Sequence, residues 1–113
     1  MAEIDRLQKR VCRMYRVDHC PPTPQSKLGI ALATLEDEPI LGVRLAAENG
    51  TNGWHIHGGQ PSDADDFYDP LCIDDLFARC PLALPFLGLP PGWRFRTDSE
   101  GTFEAWFDGT IEL

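Results

Sequence analysis

The sequence predicts an α+β fold built on an N-terminal amphipathic helix and an antiparallel sheet of about five strands. The strands would form a meander plus a C-terminal hairpin, with one or two short helices inserted. Two observations lead to this prediction. Apolar residues recur at helical spacing near the N-terminus, and short alternating apolar runs follow, separated by turn-forming residues. The 113 residues are expected to form one domain, 1–113, with a helix and proline-rich linker at 1–26 and the α+β core at 27–113.

The helix is predicted over residues 3–16. Apolar side chains recur there at steps of three and four residues: Ile4, Leu7, Val11, Met14 and Tyr15. This spacing puts them on one face, which would pack on the core. Three prolines between residues 21 and 24 exclude further helix and favour an extended linker.

Strands are predicted over residues 27–35, 40–45 and 53–57, and turn residues between them favour an antiparallel meander. In the second strand, Val43 and Leu45 would point inward and Arg44 outward. Short helices are predicted near 73–78 and 81–87, and a hairpin joins 93–96 to 102–107. Three tryptophans are expected in the core: Trp54, Trp93 and Trp106.

Charge is distributed unevenly along the chain. The net charge is −8; residues 1–16 hold five basic and two acidic groups, and the rest holds five basic and sixteen acidic groups. An acidic body disfavours nucleic acid as a partner and suits a basic protein surface. No apolar run approaches the roughly 20 residues that span a bilayer, and the N-terminus develops no apolar signal region. The sequence therefore predicts a cytoplasmic protein that does not insert into membranes.

Four cysteines, Cys12, Cys20, Cys72 and Cys80, form two pairs with a spacing of eight residues. Neither pair has the short spacing of a zinc knuckle. We expect reduced thiols that pack as small apolar groups.

The stretch from Asn49 to Asp69 combines histidine, aspartate and aromatic residues, which are the side chains most often used in binding and catalysis. Asn49-Gly50 and Asn52-Gly53 are turn dipeptides, and a strand would then place Trp54 and Ile56 on one face and two histidines on the other. The loop of residues 58–70 is long for a compact domain, which is typical of a functional segment. We expect it to present an acidic surface with aromatic anchors. The candidate partner-binding residues are His55, His57, Asp63, Asp65, Asp66, Phe67, Tyr68 and Asp69.

An enzymatic alternative rests on the same histidines. Alternate strand residues share a face, so His55 and His57 could bind one metal ion, with Asp63, Asp65 or Asp66 as a third ligand. The sequence offers no nucleophile motif and no phosphate-binding glycine loop. We therefore predict a protein that is not an enzyme and that has no cofactor, with a small metal-dependent enzyme as the alternative.

Short turn and packing motifs give a second line of inference. They are Lys27-Leu28-Gly29-Ile30-Ala31-Leu32, Glu48-Asn49-Gly50-Thr51-Asn52-Gly53-Trp54, Leu87-Gly88-Leu89-Pro90-Pro91-Gly92-Trp93-Arg94-Phe95 and Trp106-Phe107-Asp108. Between them, Asp65-Asp66-Phe67-Tyr68-Asp69-Pro70-Leu71 corresponds to an acidic and aromatic segment before a short helix. In these motifs the chain resembles the bacterial immunity protein thirty-three family of polymorphic toxin systems. His55 and His57 depart from the residues that this resemblance leads us to expect.

The resemblance implies a small cytoplasmic protein that binds and blocks a cognate protein toxin made for interbacterial competition. It implies no catalytic residues, and it does not identify the toxin. A third alternative is a general interaction module whose exposed strand edge pairs with a partner or with itself, which would make a homodimer.

Overall fold

A computed structural model describes residues 2–48, 51–62, 64 and 66–111. The chain begins with helix α1, Ala2–Met14, as the apolar spacing predicts. Glu3 and Asp5 lie in its first turn and Arg13 in its last, and each charge is favourable there because it opposes the helix dipole. No helix in the described residues is long and apolar enough to cross a membrane.

In the described part of the chain, six strands form one sheet: β1 Lys27–Ile30, β2 Ile40–Arg44, β3 Thr51–Gly58, β4 Asp69–Cys72, β5 Trp93–Thr97 and β6 Phe103–Phe107. Their order across the sheet is β4-β1-β3-β2-β5-β6. The α+β class and the C-terminal hairpin β5–β6 are confirmed. The prediction of a purely antiparallel sheet is wrong, because β1 and β3 pair in parallel.

The parallel pair arises from the connection between β1 and β2. The first strand was predicted to continue to residue 35, but it ends at Ile30 and a 3₁₀ helix follows at Leu32–Thr34. That connection crosses the end of β3, where the Gly58 amide donates to the Thr34 hydroxyl at 2.9 Å. A Cβ at Gly58 would lie 2.2 Å from the Thr34 carbonyl oxygen, so only glycine allows this crossing.

Two further helical segments lie between β4 and β5: helix α2, Ile73–Arg79, and a 3₁₀ helix, Pro81–Phe86. Both match the predicted short helices. Together with α1 they cover one face of the sheet, and the core between these layers contains Val11, Leu76, Leu84, Trp54 and Phe95. The core also contains Cys12 and Cys80, and all four cysteines are free thiols.

Arg44 lies in this core, with 7% of its surface exposed, so the predicted orientation of β2 is wrong. Its guanidinium donates to the carbonyl oxygens of Cys20 at 2.6 Å, Leu89 at 2.7 Å and Asn52 at 3.3 Å. The same group lies over the Trp54 ring, 5.7 Å from its centroid, which is a cation–π distance. Burial lowers the pKa of Arg44. One side chain thus joins the linker, β3 and the segment before β5.

The two outer strands carry features that oppose strand pairing with another chain. In β6 the Ala105 amide donates to the Tyr15 hydroxyl at 3.0 Å, so the residue that follows α1 occupies part of the free edge. In β4, Pro70 has no amide hydrogen to offer. Such features are how sheet edges avoid association, and they disfavour a homodimer formed by edge pairing.

Candidate functional site

The histidine strand has the predicted alternation. Trp54 and Ile56 of β3 are fully buried, whereas His55 and His57 are half-buried on the opposite face. Among the described residues no helix covers that face, because the helices pack against the other side. Gly29 of β1 makes room for the histidine ring, since a Cβ there would lie 2.9 Å from the Cδ2 of His55. The prediction that both histidines share a face away from the core is confirmed.

Pairing registers place these histidines within two rows of side chains across the sheet. One row crosses all six strands and the other crosses β3, β2, β5 and β6. We call the two rows the open face: Pro70, Gly29, His55, Val43, Arg94 and Trp106 in the first, and His57, Leu41, Arg96 and Glu104 in the second.

Phe67 and Tyr68 fold over the histidine end of the open face. The Tyr68 ring lies edge-on to His55 at 5.0 Å between centroids, and the Phe67 ring lies 5.8 Å from His57. Phe67 and Tyr68 also contact each other edge-on at 4.8 Å. Four rings therefore form one cluster, in geometries that aromatic groups favour. The structure brings together four of the predicted candidates: His55, His57, Phe67 and Tyr68.

Burial and a nearby cation shift the pKa values of two groups in this cluster, His57 and Tyr68. Burial lowers the pKa of the His57 imidazole, and the positive charge of Arg94 acts in the same direction, while the polar backbone of nearby Gly59 opposes both. Burial raises the pKa of the Tyr68 phenol, which Arg94 partly offsets. The Tyr68 hydroxyl lies 3.5 Å from Nδ1 of His57, which is a weak hydrogen bond. At neutral pH the His57 imidazole and the Tyr68 phenol are therefore both uncharged.

Two of the acidic candidates, Asp66 and Asp69, lie outside this cluster. Asp66 and Asp69 are exposed, and within the described residues neither makes an ion pair. Asp69 begins β4, so the predicted loop of residues 58–70 ends earlier than expected. Asp63 and Asp65 lie outside the described residues, as do Asn49 and Gly50 of the first predicted turn.

Arg94, Arg96 and Trp106 were not predicted as candidates, yet they lie in the same rows as the histidines. Trp106 was expected in the core, but 38% of its surface is exposed, because β6 is an outer strand and Trp106 faces away from the helices. Arg94 Nε donates to Asp108 Oδ2 at 2.6 Å. Arg96 lies 3.6 Å from Glu104. The alternation of Trp93-Arg94-Phe95-Arg96 was the signal that could have placed both arginines on one face.

Asp108 holds Arg94 in place from beyond the end of β6. Hydrogen bonds from the hydroxyl and amide of Thr110, together with the Arg94 guanidinium, lower the pKa of the Asp108 carboxyl to about 2. The carboxylate is therefore ionised throughout the physiological range. It fixes the guanidinium beside the aromatic cluster.

The described residues of the site do not form a metal-binding group. No group of three histidine, cysteine or acidic side chains is close enough there to hold a metal. His55 Nδ1 lies 3.1 Å from the Gly53 carbonyl oxygen, and the buried Nε2 of His57 has no hydrogen-bond partner in this part of the chain. What the open face does present is aromatic, aliphatic and guanidinium surface, which is the chemistry of protein contacts.

Comparison with known protein families places most of the chain in one of them. A family model described as an Imm33-like domain matches residues 7–108. No curated protein and no solved structure matches the chain.

Proposed function

The chain belongs to the family of Imm33-like domains, and from that premise we propose that it is an immunity protein that binds and neutralises a cognate bacterial toxin. On this proposal the protein acts in the cytoplasm of the producing cell, as the antidote in a polymorphic toxin system used for interbacterial competition. It works by binding rather than by catalysis.

The composition of the open face is the observation that supports a binding surface there. Tyrosine, tryptophan and arginine are enriched among the residues that carry most of the energy of protein interfaces. The open face and its cover bring Tyr68, Arg94 and Trp106 together, with Leu41 and Val43 half-buried between them. We propose that this surface supplies the anchors, with His55, His57 and Phe67 as their support.

The acidic segment beside the anchors would set the electrostatics of the encounter. Asp66 and Asp69 are exposed next to Phe67 and Tyr68, and Asp63 and Asp65 belong to the same stretch of sequence. Complementary charge speeds association and restricts the choice of partner. We propose that these carboxylates face a basic region of the toxin, such as the cleft of an enzyme that acts on nucleic acid.

The test begins with the neighbouring reading frame, which should encode a large secreted protein with a C-terminal toxin domain. Production of that toxin domain should stop bacterial growth, and co-production of this protein should restore it. Tyr68→Ala combined with Trp106→Ala should abolish protection. Phe77→Ala removes an exposed aromatic ring on the helical side and should leave protection intact. A folded wild-type protein that neither protects nor co-purifies with the toxin domain would refute the proposal.

A further inference from the structure

A groove runs beside α1 on the helical side of the protein. It lies between α1, the 3₁₀ helix and the turn that joins β5 to β6, and encloses about 680 Å³. The described residues include eight large apolar side chains that are exposed, and four of them line this groove: Leu7 at 37%, Met14 at 54%, Leu82 at 38% and Phe103 at 39%. Because exposed apolar groups are usually scattered, this concentration marks an interaction surface.

The charge beside the groove is basic. Arg6, Arg10 and Arg13 are exposed on α1, and Arg10 lines the groove. Within the described residues, none of these three guanidinium groups has a carboxylate within 4 Å. Asp98 lies at the hairpin end of the groove. The surface of α1 beside the groove therefore carries positive charge, although the net charge of the chain is −8.

A second cleft, on the other side of α1, provides a contrast. It encloses about 750 Å³ and is also largely apolar, with Phe77 and Leu84 among its lining residues. Its charged lining residues are Asp5 and Asp74. The two clefts therefore differ in charge more than in size or polarity, and only the first suits an acidic partner.

We propose that the first groove, which we call the α1 groove, docks an acidic amphipathic helix of a protein partner. Leu7, Val11 and Met14 form a stripe of two helical turns, about 10 Å long. A helix laid along this stripe would match it with apolar residues at positions i, i+4 and i+7, which is the common pattern for a helix in a groove. Acidic residues flanking those positions would face Arg10 and Arg13. This inference does not rest on the proposed toxin binding.

The probe is a fluorescently labelled synthetic peptide of about 18 residues, long enough to form helix. It carries leucine at i, i+4 and i+7 and glutamate elsewhere on the same side, and a matched peptide carries lysine in place of glutamate. Fluorescence anisotropy measures binding to the full chain at low and high salt. The glutamate peptide should bind about tenfold or more tightly than the lysine peptide, and high salt should reduce the difference.

Substitutions inside and outside the α1 groove show whether the peptide binds there. Met14→Glu and Arg10→Glu should each weaken binding of the glutamate peptide about tenfold, and Arg10→Glu should also improve binding of the lysine peptide. The matched controls are Phe77→Glu in the second cleft and Arg79→Glu on α2, which should change neither affinity. Circular dichroism verifies folding, and Leu82→Glu replaces any groove variant that fails to fold.

Four outcomes would overturn the inference. They are equal binding of the two peptides, binding of neither peptide, loss of binding in Phe77→Glu with retention in Met14→Glu, and occupation of the groove by a second copy of this chain. The last would be seen by sedimentation as a dimer that Met14→Glu dissociates.

Discussion

Replacing Arg44 with methionine should destabilise the protein strongly, although the substitution keeps an unbranched apolar stem. Arg44 is buried and has no carboxylate partner in the described residues. Its charge is instead distributed over main-chain carbonyl oxygens of segments that are far apart in the sequence. Removing the guanidinium would leave those oxygens buried without their donor.

The magnitude follows from the two short contacts. The oxygens of Cys20 and Leu89 accept at 2.6 and 2.7 Å, and a hydrogen bond from a charged donor contributes about 1.5–3 kcal/mol. The Leu87 oxygen, 3.5 Å from the guanidinium, retains the Trp54 indole as a donor at 3.0 Å. The gross loss is therefore about 3–6 kcal/mol. Relief of the desolvation cost of a buried cation offsets part of it, and we expect a net loss of about 3 kcal/mol.

Urea unfolding followed by tryptophan fluorescence measures this loss. With a slope of about 1.5 kcal/mol per molar urea, the midpoint should fall by about 2 M at unchanged slope. Arg44→Lys should not restore stability, because a single ammonium group cannot reproduce the planar fork. Arg96→Met is the matched control on the open face, where a half-exposed arginine pairs loosely with Glu104, and should change stability by less than about 0.5 kcal/mol. An Arg44→Met variant as stable as the control would refute this account of the core.

Three further predictions concern pH, packing and the sheet edge. Burial holds the pKa of His57 below its ordinary value, so the unfolded chain takes up a proton at a higher pH than the folded protein does. When unfolding is measured from pH 8 to 5, the free energy of unfolding of the wild type should therefore decline below about pH 6.5. His57→Gln should lack this decline. Gly42→Ala would place a Cβ 2.1 Å from the buried Phe95 ring, so calorimetry should show a loss of about 2 kcal/mol. Tyr15→Phe removes the acceptor of the Ala105 amide; it should cost about 1 kcal/mol and increase aggregation measured by light scattering.

The elements that could be predicted from the sequence are those specified by local periodicity. The spacing of Ile4, Leu7 and Val11 is sufficient to specify α1, and the alternation around His55 and His57 specifies which face of β3 each residue occupies. Turn residues between alternating runs likewise specify the β5–β6 hairpin. In each case the information lies within a dozen residues.

The features that could not be predicted depend on contacts between distant segments. The parallel pairing of β1 with β3 follows from a connection that crosses the end of β3 at Gly58, and local patterns do not encode that path. The alternation of β2 predicted an exposed Arg44. The carbonyl oxygens that accept its hydrogen bonds come from three other segments, so the local pattern does not reveal its burial. Trp106 was placed in the core because a large aromatic residue is usually buried, but its strand lies at the edge and its side chain faces away from the helices.

The candidate site was predicted in part for the same reason. The histidines and the aromatic pair Phe67-Tyr68 are near in sequence, so their clustering could be anticipated. Arg94 and Trp106 join them through the registers of β2, β5 and β6. A site assembled across six strands needs the strand order before all its members can be named.

The proposed function is tested most directly by the kinetics of association between this protein and the toxin domain encoded beside it. Surface plasmon resonance would follow the wild type and the double variant Asp66→Asn, Asp69→Asn at low and high salt. We predict that the wild type binds and that salt slows its association. The double variant should associate several-fold more slowly at low salt, with a weaker salt dependence and a similar dissociation rate. Absence of binding by the folded wild type, or an association rate that neither salt nor the double substitution changes, would contradict the account.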